Sequence, residues 1–368
     1  MPDSDSIDPI VSGRAWHEFC DALKRAGDQV LRPEAPRDAF SRAEGYRYLS
    51  RLLRIGLEMH VEGADPDFPH LMVPSHETAK IGADNPDNFY QYARLNGRNA
   101  FRIRGNRGTV AYLSFGTQKG GYETNGRMEQ TGFIDARQMH FDADGNFELV
   151  LSRLPQPGNW LTMEADTNAL VVRQTFLDRR HEKPARLAIE RVDADAKPGP
   201  LAPRQLQGGL MNAARFVENT ARLFADWAQG WQQHPNALPP ADQALCQAVG
   251  GDPNIFYYHG YWALEEDEAL LIDLRRVPDC RFWNLQIDNY WMESLDYRYH
   301  RIHFNKHSVQ LDAEGGIRVI LAHRDPGLPN WLATAGHRVG TFSMRWVGAT
   351  EHVHPTTRVV KLAELARS

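Results

Sequence analysis

The strongest periodic pattern in the chain lies between residues 206 and 233. There Met211, Ala214, Val217, Ala221, Phe224, Ala228 and Trp231 recur at spacings of three and four, which puts them on one stripe of a helix. The segment from His234 to Pro240, with three prolines, ends it. A second helix is predicted from an N-cap at Asp38 to about His60, with Tyr46, Leu49, Leu52, Leu53, Gly56 and Met59 on its apolar side. A third covers residues 14–30, with Trp16, Cys20, Leu23 and Val30 near one face and Pro33 and Pro36 beyond its end. Ala241–Val249 reads as a short helix, residues 1–13 as a flexible lead, and Gly63–Asn88 as irregular. Elsewhere short runs alternate between polar and apolar positions, as strands do. They include Thr109–Phe115, Phe147–Leu151, Ala169–Phe176, Ala269–Leu274, Arg281–Ile287, Ile317–Leu321 and Gly340–Val347.

These strands repeat. Asp142, Ala143, Gly145 and Leu151 match Asp312, Ala313, Gly315 and Leu321. Asn159-Trp-Leu161 matches Asn330-Trp-Leu332, and Leu170–Arg173 matches Phe342–Arg345. Upstream, Ala111–Phe115 lines up with Trp283–Ile287, and Asn85–Tyr90 with Asp252–Tyr257. Five matches in one order at one offset indicate a duplication. The predicted fold is therefore α+β and mainly β: two duplicated antiparallel sandwich or jelly-roll-like units, an N-terminal helical pair and a long bridging helix that covers a sheet face or edge. The expected division is a helical segment over 1–84, a first β unit over 85–200, a helical bridge over 201–250 and a second β unit over 251–368.

Composition narrows the function classes. With 368 residues the chain admits two domains or one repeated unit, and the repeat selects the latter. No apolar run reaches the length of a membrane span, and the acidic N-terminus lacks the pattern of a secretory signal. Three cysteines without CxxC spacing argue against a disulfide framework and a structural zinc site. A net charge of -5 argues against nucleic-acid binding. The expectation is a cytoplasmic protein with no nucleic-acid or membrane partner, a small-molecule ligand and no cofactor; a homodimer is compatible with it. Arginine outnumbers lysine 35 to 7, which reads first as base composition. Arg173 and Arg345 stand out because they occupy equivalent apolar strands, where each needs a carboxylate partner or a ligand anion; a structural salt bridge is the expectation.

Candidate chemistry concentrates in the second copy. Asn284, Gln286 and Asp288 alternate onto one face of a strand, followed by Trp291, Glu293, Asp296, Tyr297, His300 and His303. His323-Arg-Asp325 has no counterpart in the first copy, whose equivalent segment is Arg153–Pro157. An enzyme reading makes Asp288 or Asp325 a base, His323 or Tyr297 an acid, and Arg324 or Arg345 an anion anchor. Trp291, Asn284, His300 and Trp331 would then contact substrate. The bland reading of Arg324 and Asp325 is a local ion pair, and that of the two Asn-Trp-Leu segments is loop anchoring. His352 and His354 offer a metal pair on one strand face, but Glu351 precedes them and the spacing of the cupins is missing. The glycine-rich Ser114–Tyr122 lacks phosphate-loop spacing, Ser114, Ser294 and Ser343 lie in no GxSxG context, and Cys246 and Cys280 have no adjacent histidine.

From Asp325-Pro-Gly-Leu-Pro-Asn-Trp-Leu-Ala-Thr-Ala-Gly-His337 through Gly340 to Arg345-Trp346, the chain resembles the bacterial family of unknown function catalogued as domain 1214, often found beside a sister domain numbered 1254. The resemblance is best over residues 250–360, and Asn159-Trp-Leu, Arg173-Gln174 and Asp178-Arg179 look like a more divergent copy. It implies a mostly β fold with jelly-roll-like halves. It implies no reaction, so no catalytic residue carries over, and the N-terminal helical pair departs from the minimal domain. The reading reached from the residues is an enzyme, a hydrolase, lyase or isomerase, acting on a small, largely apolar organic molecule (aromatic, terpenoid or steroid-like) by cofactor-independent acid–base chemistry. The alternatives are a non-catalytic sugar- or lipid-like ligand-binding module, or a metalloenzyme using His352 and His354.

Overall fold

Asp38 caps the second helix as its position predicts, its carboxylate accepting from the Ser41 N–H at 2.9 Å. In the computed structural model, which describes residues 8–192 and 197–365, α1 spans Arg14–Leu31, α2 Ala39–Leu57 and α3 Pro203–Trp231. The first seven residues of the predicted lead lie outside the described residues. A π-helical turn, Glu58–Glu62, continues α2, and α4, Gln243–Ala248, starts at a cap made by Asp242. Of the predicted stripe on α3, Ala214, Val217, Ala221, Phe224 and Ala228 are buried. So are Ala213 and Phe216, because α3 is covered by α1 and α2 on one side and by sheet on the other. Small residues let the helices close: a Cβ on Gly209 would stand 2.4 Å from the His60 carbonyl oxygen. Among the described residues no helix is long and apolar enough to cross a membrane.

The duplication is borne out strand for strand. The first unit contains β1 (Asn88–Arg94), β2 (Phe101–Asn106), β3 (Tyr112–Gly121), β4 (Arg127–Asp135), β5 (Asn146–Ser152), β6 (Asn159–Thr162), β7 (Ala169–Thr175) and β8 (Arg186–Arg191). The second contains β9 (Ile255–Ala263), β10 (Glu268–Leu274), β11 (Phe282–Asp288), β12 (His303–Asn305), β13 (Ile317–Ala322), β14 (Trp331–Ala333), β15 (Val339–Val347) and β16 (Thr356–Lys361), followed by the single-turn α5 (Leu362–Leu365). One sheet runs β1-β7-β3-β4 and its counterpart β9-β15-β11-β12; the other runs β6-β5-β2-β8 and its counterpart β14-β13-β10-β16. Even the parallel pairs recur, β5 with β6 and β13 with β14. Each unit is a sandwich around its own core. Phe101, Phe115, Leu149, Leu151 and Leu170 fill the first, and Trp262, Trp283, Leu285, Leu321 and Trp346 the second. Each such side chain contributes about 1.5–3 kcal/mol by leaving water.

The repeated turn motif has a local cause. The Asp142 and Asp312 carboxylates accept backbone N–H groups inside their own turns, and Gly145 and Gly315 take φ near +80°, which glycine adopts without strain. One part of the sequence alignment needs correction. Ser114 pairs with Arg173 and Asn284 pairs with Arg345, so β3 and β11 correspond at an offset of 170. Ala111–Phe115 therefore matches Arg281–Leu285, two residues from the match expected. An even slip preserves the inside–outside alternation of a strand, so the hydrophobic pattern alone accepts either register.

Candidate functional site

Strand alternation turns Tyr90 and Tyr92 to one face of β1, Val171 and Arg173 to one face of β7, Tyr257 and His259 to one face of β9, and Ser343 and Arg345 to one face of β15. With Phe216, Phe224 and Trp227 of α3, these faces enclose a cavity of about 190 Å3 between the units; Ser343 stands behind its wall. The wall combines these aromatic rings with aliphatic and glycine positions, and loop residues 81–84 and 249–251 also line it.

The cavity inherits the pseudo-twofold relation. Tyr90 lies opposite Arg173, and Tyr257 opposite Arg345. The Tyr90 hydroxyl accepts the Asn85 N–H at 3.0 Å, and the Tyr257 hydroxyl accepts the Asp252 N–H at 2.9 Å. Each arginine reaches the segment that leads into the other unit: Arg173 donates to the Gly250 carbonyl and Arg345 to the Ala83 carbonyl, both two residues ahead of the repeated Asn/Asp-Pro motif. The motif heads are held the same way. Asp252 accepts the Tyr112 hydroxyl at 2.9 Å and the Ser114 hydroxyl at 3.0 Å, and the Asn85 side chain accepts from Asn284 at 3.2 Å. The expected salt bridges are absent. Among the described residues no carboxylate pairs with Arg173 or Arg345, whose partners are neutral oxygens, including those of Gln286 (2.7 Å) and Asn284 (3.4 Å) at Arg345.

One step further along the strands the symmetry breaks. The first unit has Tyr92 opposite Val171, and the second has His259 opposite Ser343. His259 Nδ1 lies 2.9 Å from the Ser343 hydroxyl. Its ring stacks on Trp231 at 5.2 Å and on Tyr257 at 6.0 Å. Burial, and then the charge of Arg345, pull its pKa down to about 3, so the imidazole is neutral at pH 7. Nε2 makes no hydrogen bond to the described residues, which leaves it available at the cavity wall.

Behind Arg345 the polar face of β11 forms a buried network. Gln286 donates to Asp288 at 2.6 Å and to the Asp84 carbonyl at 2.9 Å, while the Asp84 carboxylate, on the cavity wall, accepts the Ser294 N–H and hydroxyl. Lys80, fully buried, donates to the Ser294 hydroxyl and carbonyl and to the Leu295 carbonyl. Burial pushes the Asp288 carboxyl up to about 7, against the pull of Gln286, and its Oδ2 has no partner. A second carboxylate on the wall, Glu123, lies 3.6 Å from Arg94 and 3.9 Å from His60.

Of the residues expected at a site, Arg345 lines the cavity, and Asn284 and Asp288 stand directly behind it. The others lie elsewhere. His323 has both ring nitrogens engaged, with Thr334 at 2.8 Å and the Leu264 carbonyl at 3.2 Å. Asp325 is exposed and accepts the Gly327 N–H, and exposed Arg324 forms no ion pair with it. Tyr297 carries the Lys80 ammonium over its ring at 4.7 Å, and His300 is exposed. Trp291 packs against α2, where a Cβ on Gly45 would meet it at 2.8 Å. Trp331 donates its indole N–H to the Ala322 carbonyl at 3.1 Å, as Trp160 does to Ser152 at 3.2 Å, so both serve their own loops. His352 and His354 precede β16, so they do not share a strand face as expected. One stacks on Phe256 at 3.8 Å, and the other meets the Tyr258 hydroxyl at 2.8 Å. No group of three His, Cys, Asp or Glu side chains among the described residues is placed to hold a metal ion.

His259 is the residue that sequence reasoning passes over, although the signal exists. The alignment of Asn85–Tyr90 with Asp252–Tyr257 stops two residues short; extended, it sets His259 against Tyr92.

Among solved structures, an uncharacterised protein from Burkholderia cenocepacia is 65% identical to this chain, with a TM-score of 0.96 over 97% of this chain and 99% of that one. The VPA0106 protein from Vibrio parahaemolyticus is 11% identical, with a TM-score of 0.49 over 92% of this chain and 100% of that one. No family model matches the chain. No curated protein matches it either.

Proposed function

The chain belongs to the family of that Burkholderia cenocepacia protein, and we propose that it is an enzyme that takes a small, largely apolar organic molecule into the cavity between its β units and transforms it by acid–base chemistry without an organic cofactor. The observation that carries this reading is His259: a neutral imidazole, oriented through Nδ1 by Ser343, with Nε2 free at a cavity lined in part by aromatic rings. Nε2 would accept a proton from the bound molecule and return it at another atom or to a leaving group, the common step of an isomerisation or elimination. Protonation is opposed by burial and by Arg345, so negative charge developing on the substrate near Arg345 would favour the imidazolium at the moment it is needed. Size limits the substrate. An apolar cavity of about 150 Å3 holds one benzene, so about 190 Å3 favours a single ring with short substituents over a steroid.

The test is proton exchange. The full chain is incubated in deuterium oxide with one-ring aromatic and monoterpenoid compounds, and mass spectrometry follows deuterium uptake and product. Turnover in the wild type and its loss in His259→Gln, with the melting temperature unchanged within a few degrees, supports the reading. Turnover that survives His259→Gln removes His259 from the chemistry. Ligand-induced stabilisation with neither exchange nor product favours the binding-module alternative.

A further inference from the structure

Among the described residues neither Arg173 nor Arg345 has a carboxylate in contact with it. Each guanidinium has five N–H donors. Among the described residues Arg173 uses them for one backbone carbonyl, and Arg345 for a carbonyl and two side-chain amides. All these acceptors are neutral, and a desolvated guanidinium gains most from a carboxylate in direct contact.

The carboxylates nearby are engaged elsewhere. Asp84 holds Ser294 with Lys80 behind it, and Glu123 lies between Arg94 and His60. Asp252, whose charge acts most strongly on Arg173, accepts the Tyr112 and Ser114 hydroxyls. Both arginines nevertheless line the same small cavity, so a molecule that fills it meets both. No lysine lines it, and Tyr90, Tyr92, Phe216, Phe224, Trp227 and Tyr257 give its wall a group of aromatic rings.

Resting on the reading of this cavity as a substrate site, we infer that its ligand is a carboxylic acid about the size of one aromatic ring, its carboxylate held by Arg173 and Arg345 and its ring by the aromatic side chains of the wall, among them Phe216, Phe224 and Trp227. The fork of a guanidinium matches a carboxylate in two parallel hydrogen bonds; Arg173 makes one hydrogen bond to the protein and Arg345 three, so each keeps N–H donors for a ligand. A phosphate dianion would match two guanidiniums in charge but has no ring for the aromatic side chains of the wall to hold.

Calorimetric titration of the full chain with benzoate, with its neutral isostere benzamide and with inorganic phosphate tests the inference. In the wild type benzoate binds about tenfold more tightly than benzamide, the scale of one charge-assisted hydrogen bond over a neutral one. Arg173→Gln, which removes a single protein hydrogen bond, abolishes that preference, and Arg173→Lys keeps part of it. Val171→Phe, which fills the cavity, abolishes binding of both aromatic compounds. Equal affinities for benzoate and benzamide, both lost in Val171→Phe, would overturn the carboxylate assignment and leave the substrate cavity standing. Phosphate binding tighter than benzoate overturns it in favour of a phosphate ligand. Binding that survives Val171→Phe, or no saturable binding at millimolar concentrations, overturns the assignment and the cavity reading together.

Discussion

The two β units have the same eight strands in equivalent sheets, and they differ at polar positions on and behind the cavity wall. Equivalent positions carry Tyr92 and His259, Val171 and Ser343, Gln118 and Asp288. In two of the pairs the second unit has the titratable side chain, His259 or Asp288, and in the third Ser343 adds the hydroxyl that holds His259. What the duplicated scaffold kept in both copies is positional: the Tyr-Arg pairs, the arginines reaching the segment that leads into the opposite unit, and the loops they fasten. What it changed in the second copy is protonation. The comparison teaches that an internal repeat separates the positions that frame the cavity in both copies from those that differ between them.

The largest effect expected from breaking this comparison lies in the cores. Gln174 and Trp346 are equivalent, and both tie down the segment entering the last strand of their unit. Gln174 bonds the Ala185 backbone twice, and Trp346 donates to the Val353 carbonyl at 3.0 Å. Trp346→Ala also empties a core position, so it should cost about 3–5 kcal/mol, whereas Gln174→Ala should cost about 1–3 kcal/mol by leaving buried backbone groups unpaired. Urea unfolding of both variants measures the difference, and the reverse order would mean the units do not bear load as their cores suggest.

Next comes the pH dependence of the second unit. The Asp288 carboxyl is raised to about 7 in the folded chain, so between pH 4 and 7 the unfolded chain releases a proton that the folded chain keeps. Its contribution to stability therefore falls as pH rises through that window, by up to about 4 kcal/mol, and is constant above it. Asp288→Asn retains the acceptor for Gln286 and should raise stability at pH 7 while leaving it unchanged near pH 4. His259 acts in the opposite direction. Its pKa is depressed to about 3, so stability is lost as pH falls below the unfolded value of about 6.5, by about 2 kcal/mol at pH 5. His259→Gln should remove that loss. The two trends oppose one another in the wild type, and denaturation of the single variants across pH 4–8 separates them. Variants with unaltered pH profiles would show that neither group is shifted.

The smallest effect sharpens the symmetric side of the comparison. Asn159 bonds both backbone groups of His140 and the Glu148 carbonyl, and Asn330 does the same with Gln310 and Arg318. Alanine at either position should cost about 1–2 kcal/mol and leave benzoate affinity unchanged. A loss of affinity in one variant alone would give that loop a role its twin lacks.

Much of the fold is legible in the sequence because it arises from local causes. Turn chemistry at Asp142 and Asp312, the apolar stripe of α3 and the cap at Asp38 each depend on neighbours within a few residues. Their double occurrence also exposes the duplication. The site was less legible. His323 and Asp325 look reactive in a linear reading because polar residues cluster there, yet the fold uses them in their own loops. His259 sits in an aromatic run where nothing local marks it.

The sequence by itself determined the helices, the two related sandwiches and the repeated turns, since these follow from periodicity and from side chains bonding nearby backbone. Only the tertiary structure decided the strand register between β3 and β11, the partners of Arg173 and Arg345, and the cavity that joins them to His259. Those features depend on groups some 80–260 positions apart being brought into contact and desolvated together. Charge pairing and shifted protonation are properties of that shared, water-excluded environment, which no stretch of sequence contains.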